Sequence, residues 1–136
     1  MHQIIDHRVI HPSIVSLLKR LDKWVVVIGS VARGDKAPGD LDLWLNVDGL
    51  ISGKPRYEVI KDIIGQSGLS FDSPFPTCWS FPSRWYPDVM VELIGCPNIP
   101  ATFGTVRRLA QRRTVFGIDL PVALPKHAGT STKTVG

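Results

Sequence analysis

Asp40 and Asp42 stand two residues apart in Gly39-Asp-Leu-Asp-Leu43, with Leu41 and Leu43 alternating with them. Residues two apart on a strand point to the same side, so this spacing puts both carboxylates on one face and the leucines on the other. Like charges held that close repel, and a fold keeps them together by adding cations, for which carboxylate oxygens are hard ligands. Upstream, the apolar run Trp24 to Ile28 ends in Gly29-Ser30, and Gly29 to Gly34 reads as a tight turn into a short helix. Glycine lets a backbone approach a bound group closely, and Ser30 with the amides that open the helix can donate to phosphate oxygens. The pattern points to a metal site that handles nucleotides.

Gly29-Ser30, nine intervening residues and then Asp40-Leu-Asp-Leu43 resembles the signature of the DNA polymerase β-like nucleotidyltransferase superfamily, and among its members the minimal nucleotidyltransferases. The resemblance implies a third carboxylate between apolar residues on a later strand, and Val91-Glu92-Leu93 supplies it. A lone acid inside the strand-forming run Asp88 to Ile94 is costly to bury unless its desolvation is offset, which a metal shared with Asp42 would do. Gly39 to Val47 and Arg113 to Leu124 resemble a strand and a C-terminal hairpin of nucleotidyltransferases from toxin–antitoxin and abortive-infection systems. Two departures stand out: the third acid is Glu92 where many relatives have Asp, and the helical acceptor-binding region that commonly follows the hairpin has no counterpart.

What the resemblance implies is a Mg²⁺-dependent transferase that moves a nucleoside monophosphate from an NTP such as ATP onto a hydroxyl of a protein, a tRNA end or a small molecule. The acceptor hydroxyl attacks the α-phosphorus and pyrophosphate leaves, and two divalent ions about 4 Å apart stabilise charge on the entering and departing oxygens. Asp40 and Asp42 would bridge the ions, and Glu92 would complete the site or take the acceptor's proton. Gly29, Ser30 and Arg33 are the candidate nucleotide-binding residues, although an arginine at that position can instead brace the turn. Trp44, two residues beyond Asp42, is either core or a wall of the nucleotide pocket. An alternative function is a non-catalytic nucleotide- or partner-binding module, an antitoxin or regulatory subunit. The intact set of three acids argues for the enzyme. Modification of an aminoglycoside-like compound is disfavoured by the lack of a second domain to shape a sugar pocket.

These residues need elements to position them. Pro12 to Leu21 reads as a helix, opened by Pro12 and with Ile14, Leu17, Leu18 and Leu21 on one face. Strands are expected over Trp24 to Ile28, Leu41 to Val47 and Asp88 to Ile94. Pro55 to Ile64 reads as a second helix stopped by Gly65 and Gly68. Between Leu69 and Pro87 the prolines Pro74, Pro76 and Pro82 interrupt any long strand, leaving Cys78 to Phe81 able to pair at an edge. A helix over Thr105 to Arg112 and a hairpin around Gly117 complete the order. The fold class is α/β (α+β): a nucleotidyltransferase fold, with helices packed on a mixed twisted sheet.

The chain has 136 residues, 43% hydrophobic, which suits one domain with one core, placed at residues 1–125, while 126–136 reads as a flexible polar tail. A formal charge of +4 suits a polyanion such as a triphosphate or RNA without making the chain a nucleic-acid coat. Arg107, Arg108, Arg112 and Arg113 form a basic cluster, either a solvated face or a contact for such a ligand. Cys78 and Cys96 lack metal or redox spacing, and no apolar run is long enough for a bilayer. The expected setting is the cytoplasm, with NTP, a protein or tRNA acceptor and a toxin or antitoxin as possible partners and no membrane.

Overall fold

The computed structural model describes residues 9–36, 38–46, 62–66, 68–69, 71–75, 78–81, 89–95 and 99–129. Helix α1, Pro12–Arg20, starts at a proline whose missing amide would have had no partner in the first turn, and His11 Nδ1 accepts the Ser13 amide at 3.1 Å. Lys19 and Arg20 occupy its last turn, where cations suit the helix dipole, and Ile14, Leu17 and Leu18 are buried. A short 3-10 turn, Asp22–Trp24, leads into β1, Val25–Ile28, buried throughout. Helix α2, Gly29–Arg33, follows without a break and ends at Gly34, whose φ of +83° suits glycine. Strand β2 is Asp40–Leu45.

Residues 62–66 are helical, with Ile64 fully buried. The helix therefore continues through Gly65 rather than stopping there, and the rest of the expected Pro55 to Ile64 helix lies outside the described residues. Strands β3, Asp72–Phe75, and β4, Cys78–Phe81, form a hairpin, followed by β5, Met90–Ile94. Helix α3 is Phe103–Leu109, and β6, Gln111–Val115, turns into β7, Ile118–Val122. The expected Thr105 to Arg112 helix is thus shifted toward the N-terminus. Thr102 caps it, its hydroxyl accepting the Thr105 amide at 3.4 Å, and Arg112 is already in the ladder, opposite Pro121.

Together the strands make one mixed sheet in the order β3-β4-β5-β2-β1-β7-β6. Pro74 lies on the edge strand β3, where a missing amide is tolerated. Strand β4 is interior rather than an edge, and its Trp79 and Phe81 are buried. One face of the sheet carries Leu41, Leu43 and Leu45 with Val91, Leu93, Trp79, Phe81, Val25, Val27, Leu120 and Val122, all buried. The opposite face carries Asp40, Asp42, Glu92 and Ser80 together with Val26 and Ile28, which are buried. The described elements make an α/β fold with helices packed on a mixed sheet.

The fold extends past residue 125. Pro125–His127 forms a 3-10 turn, Ala128 is buried, and its carbonyl accepts the Gly29 amide at 2.9 Å. Residues 126–129 are therefore packed rather than part of a tail, because the one small apolar residue among them has a place against α2. Residues 130–136 lie outside the described set. No helix among the described residues is long and apolar enough to cross a membrane.

Candidate metal centre

Asp42 is the hub. On one side it faces Ile28, the last residue of β1, and on the other it faces Glu92 in parallel register with β5. Cross-strand partners share a face, as do residues two apart on a strand, so Asp40, Asp42 and Glu92 all point to the polar side of the sheet. Their nearest carboxylate oxygens lie within 4.8 Å of one another. Asp40 is only 1% exposed, whereas Asp42 and Glu92 are half-buried. Three carboxylates in so small a space carry mutual repulsion that a divalent cation, with its preference for several oxygen ligands, would reverse.

The Gly29-Ser30 turn is shaped to this cluster. A Cβ on Gly29 would stand 2.6 Å from Asp42 Oδ2, closer than side chains tolerate, and the residue's φ is +73°. Glycine is therefore favoured here for two separate reasons, and its close approach is to the Asp42 carboxylate. Its amide is not directed at a ligand but donates to Ala128. Next to Gly29 in the chain, Ser30 Oγ is buried and has no hydrogen-bond partner among the described residues, so a ligand oxygen would satisfy it. The set fits Mg²⁺: hard oxygen donors, convergent, with a polar atom in reserve.

Arg33 ends α2. Its guanidinium pairs with Asp35 at 3.4 Å, bracing the turn that follows α2. No family model and no curated protein matches the chain.

Beyond the acids, the same face bears Ser80, opposite Glu92, and Cys78, opposite Ile94. Cys78 is half-buried, and its thiol pKa is pushed up to about 11, first by burial and then by the negative charge of Glu92 and Asp42. That coupling places it in the field of the acid cluster. Trp44, opposite Ile94 on β2, meets Phe103 of α3 edge to face, with ring centres 5.3 Å apart and planes at 84°. Cys78, Ser80, Ile94 and Phe103 escape sequence reasoning, because nothing in their own segments indicates which strands become neighbours.

The basic cluster divides. Arg112 holds Asp22 in a fork, with Nη1 and Nη2 donating at 3.1 and 3.0 Å, and reaches Asp119 at 3.1 Å. Arg107 Nη2 donates to the Asp22 carbonyl at 3.2 Å and pairs with its carboxylate at 3.5 Å. Asp22 precedes β1 and Gly29 follows it, so this network lies at the opposite end of that strand from the acids. It clamps α3 and the β6–β7 hairpin to the turn before β1. Arg108 and Arg113 are exposed.

Proposed function

We propose that the protein is a minimal nucleotidyltransferase, with a nucleotidyltransferase fold, that transfers a nucleoside monophosphate from an NTP to a hydroxyl acceptor in the cytoplasm. The observation that carries this reading is the convergence of Asp40, Asp42 and Glu92 within 4.8 Å on one sheet face, with the glycine of a Gly-Ser turn packed against Asp42. Asp40, Asp42 and Glu92 would hold Mg²⁺, which supplies Lewis-acid stabilisation of charge on the reacting phosphate oxygens when bound. The protein's own groups do the rest. Glu92, the more accessible of the outer pair flanking Asp42, accepts the acceptor hydroxyl's proton. Ser30 Oγ donates to a phosphate oxygen, and the rigid β1–α2 turn, fixed by the Gly29 to Ala128 hydrogen bond, holds that hydroxyl in place. The acceptor is a protein, a tRNA end or a small molecule.

The test is incubation of the purified chain with each α-³²P-labelled NTP, Mg²⁺ and a cell lysate, followed by separation of protein, RNA and small molecules. Label should appear in one fraction and vanish with Asp42→Asn. NTP binding without transfer to any fraction would replace the enzyme with a nucleotide-binding module.

A further inference from the structure

The polar face of the sheet is organised in two parallel rows. The first runs Asp42, Glu92, Ser80 across β2, β5 and β4; the second, two residues further along each strand from the acids, runs Trp44, Ile94, Cys78. At about 3.3 Å per residue the rows are roughly 6.6 Å apart. One row is acidic and hydroxylic, the next is apolar, and the residues of both are half-buried rather than covered. Helix α3 stands at the edge of the second row: Val106 is buried, the helix lies against β1, and Phe103 packs edge to face on Trp44. This wall fixes the Trp44 ring, so that a ligand lying on the row meets a pre-set aromatic surface rather than a mobile one.

A ligand matched to both rows has a polyanionic end carrying divalent metal and, one strand repeat away, a flat apolar body. We propose that Trp44, with Ile94 and Cys78 as floor and Phe103 as brace, is the base subsite of the nucleotide site and selects purine nucleoside triphosphates. The inference rests on the metal-centre reading of Asp40, Asp42 and Glu92. Its specific content is the second row. A purine offers the larger π surface to an indole and an aliphatic floor, while a pyrimidine leaves part of the row uncovered. Phe103 is a positioning residue, acting through Trp44.

Calorimetry with Mg²⁺ and three probes, α,β-methylene-ATP, α,β-methylene-UTP and inorganic tripolyphosphate, separates the two rows. The ATP analogue should bind most tightly and tripolyphosphate most weakly. Trp44→Ala should weaken the ATP analogue by about 5- to 150-fold, the range that loss of one base–aromatic stack produces. Tripolyphosphate binding should change less than about twofold, and Trp44→Phe should restore most of the loss. Circular dichroism on each variant, together with the unchanged tripolyphosphate affinity, certifies the fold. Equal affinity of the wild-type protein for the ATP analogue and tripolyphosphate would overturn the base subsite while leaving the metal centre standing. Preference for the UTP analogue would overturn purine selection. Failure of all three probes to bind would overturn the metal-centre reading, and the subsite with it.

Discussion

Gly29→Ala is the substitution whose effect follows most directly from the geometry. The added methyl would stand 2.6 Å from Asp42 Oδ2 and 3.2 Å from Asp42 Cβ, so the carboxylate must withdraw by about 0.8 Å to reach ordinary contact. The backbone cannot give way easily, since its amide is held by the Ala128 carbonyl at 2.9 Å. A second cost comes from φ of +73°, which a residue with a Cβ adopts at about 1–2 kcal/mol. Gly34 provides the control: its φ is +83° and a Cβ there would meet nothing within 4 Å. Gly34→Ala should therefore cost about 1–2 kcal/mol from conformation alone. Gly29→Ala should cost about 2–5 kcal/mol, the excess being the overpacking penalty.

Urea denaturation of both variants measures that excess, and a double-mutant cycle with Asp42→Ala assigns it. With the carboxylate removed and only the Cβ contact at 3.2 Å left, most of the Gly29→Ala excess over Gly34→Ala should disappear. Mn²⁺ titration followed by calorimetry gives the second readout, in which Gly29→Ala lowers affinity by displacing a ligand oxygen and Gly34→Ala leaves it unchanged. Equal costs for the two glycine variants, or an excess undiminished by Asp42→Ala, would refute the contact and with it the idea that the turn is moulded to the acid cluster.

Asp42→Asn should raise the thermal midpoint of the metal-free protein by a few degrees by relieving repulsion among carboxylates within 4.8 Å of each other; in the wild type, added Mg²⁺ should raise the midpoint instead, and the variant should lose that response. Asp22→Ala removes the acceptor shared by Arg107 and Arg112 and should cost about 1 kcal/mol in denaturant melts, less at high salt, because the groups are partly exposed. The Cys78 thiol, with its pKa raised to about 11 from 9.0, should alkylate at pH 8 roughly a hundredfold more slowly than an unperturbed thiol. Glu92→Gln or Mg²⁺ should speed the reaction by reducing the nearby negative charge, and a rate indifferent to both would place Cys78 outside the reach of the acids. Because the unfolded thiol loses its proton first, this group's contribution to stability should decline as pH rises from about 9 to about 11.

The strand periodicity makes Asp40 and Asp42 legible as a pair, and β1 and β2 fall within two residues of their expected limits. The hairpin around Gly117 is legible for the same local reason, with Phe116 and Gly117 both at positive φ in a two-residue turn. Other features depend on contacts between distant segments. The Arg33–Asp35 pair is local, but half of the arginine cluster is claimed by Asp22, far away in the chain. Residues 126–129 look like a tail because their composition is polar, yet a buried alanine and one backbone hydrogen bond bind them to Gly29.

The order of the rows beside the acids is the least local property of all. It requires β5 to run parallel to β2 and antiparallel to β4, with Glu92 opposite both Asp42 and Ser80. Slipping β4 by one residue would bring Trp79 and Phe81 to the polar face and drive Cys78 and Ser80 into the core. Trp79 and Phe81 are at present buried at 1% and 0% exposure, so that slip would forfeit several kcal/mol of apolar burial. The same aromatic side chains that carry no chemistry thus fix which residues stand beside Glu92. Register, set by the buried face, determines the composition of the acid-bearing face.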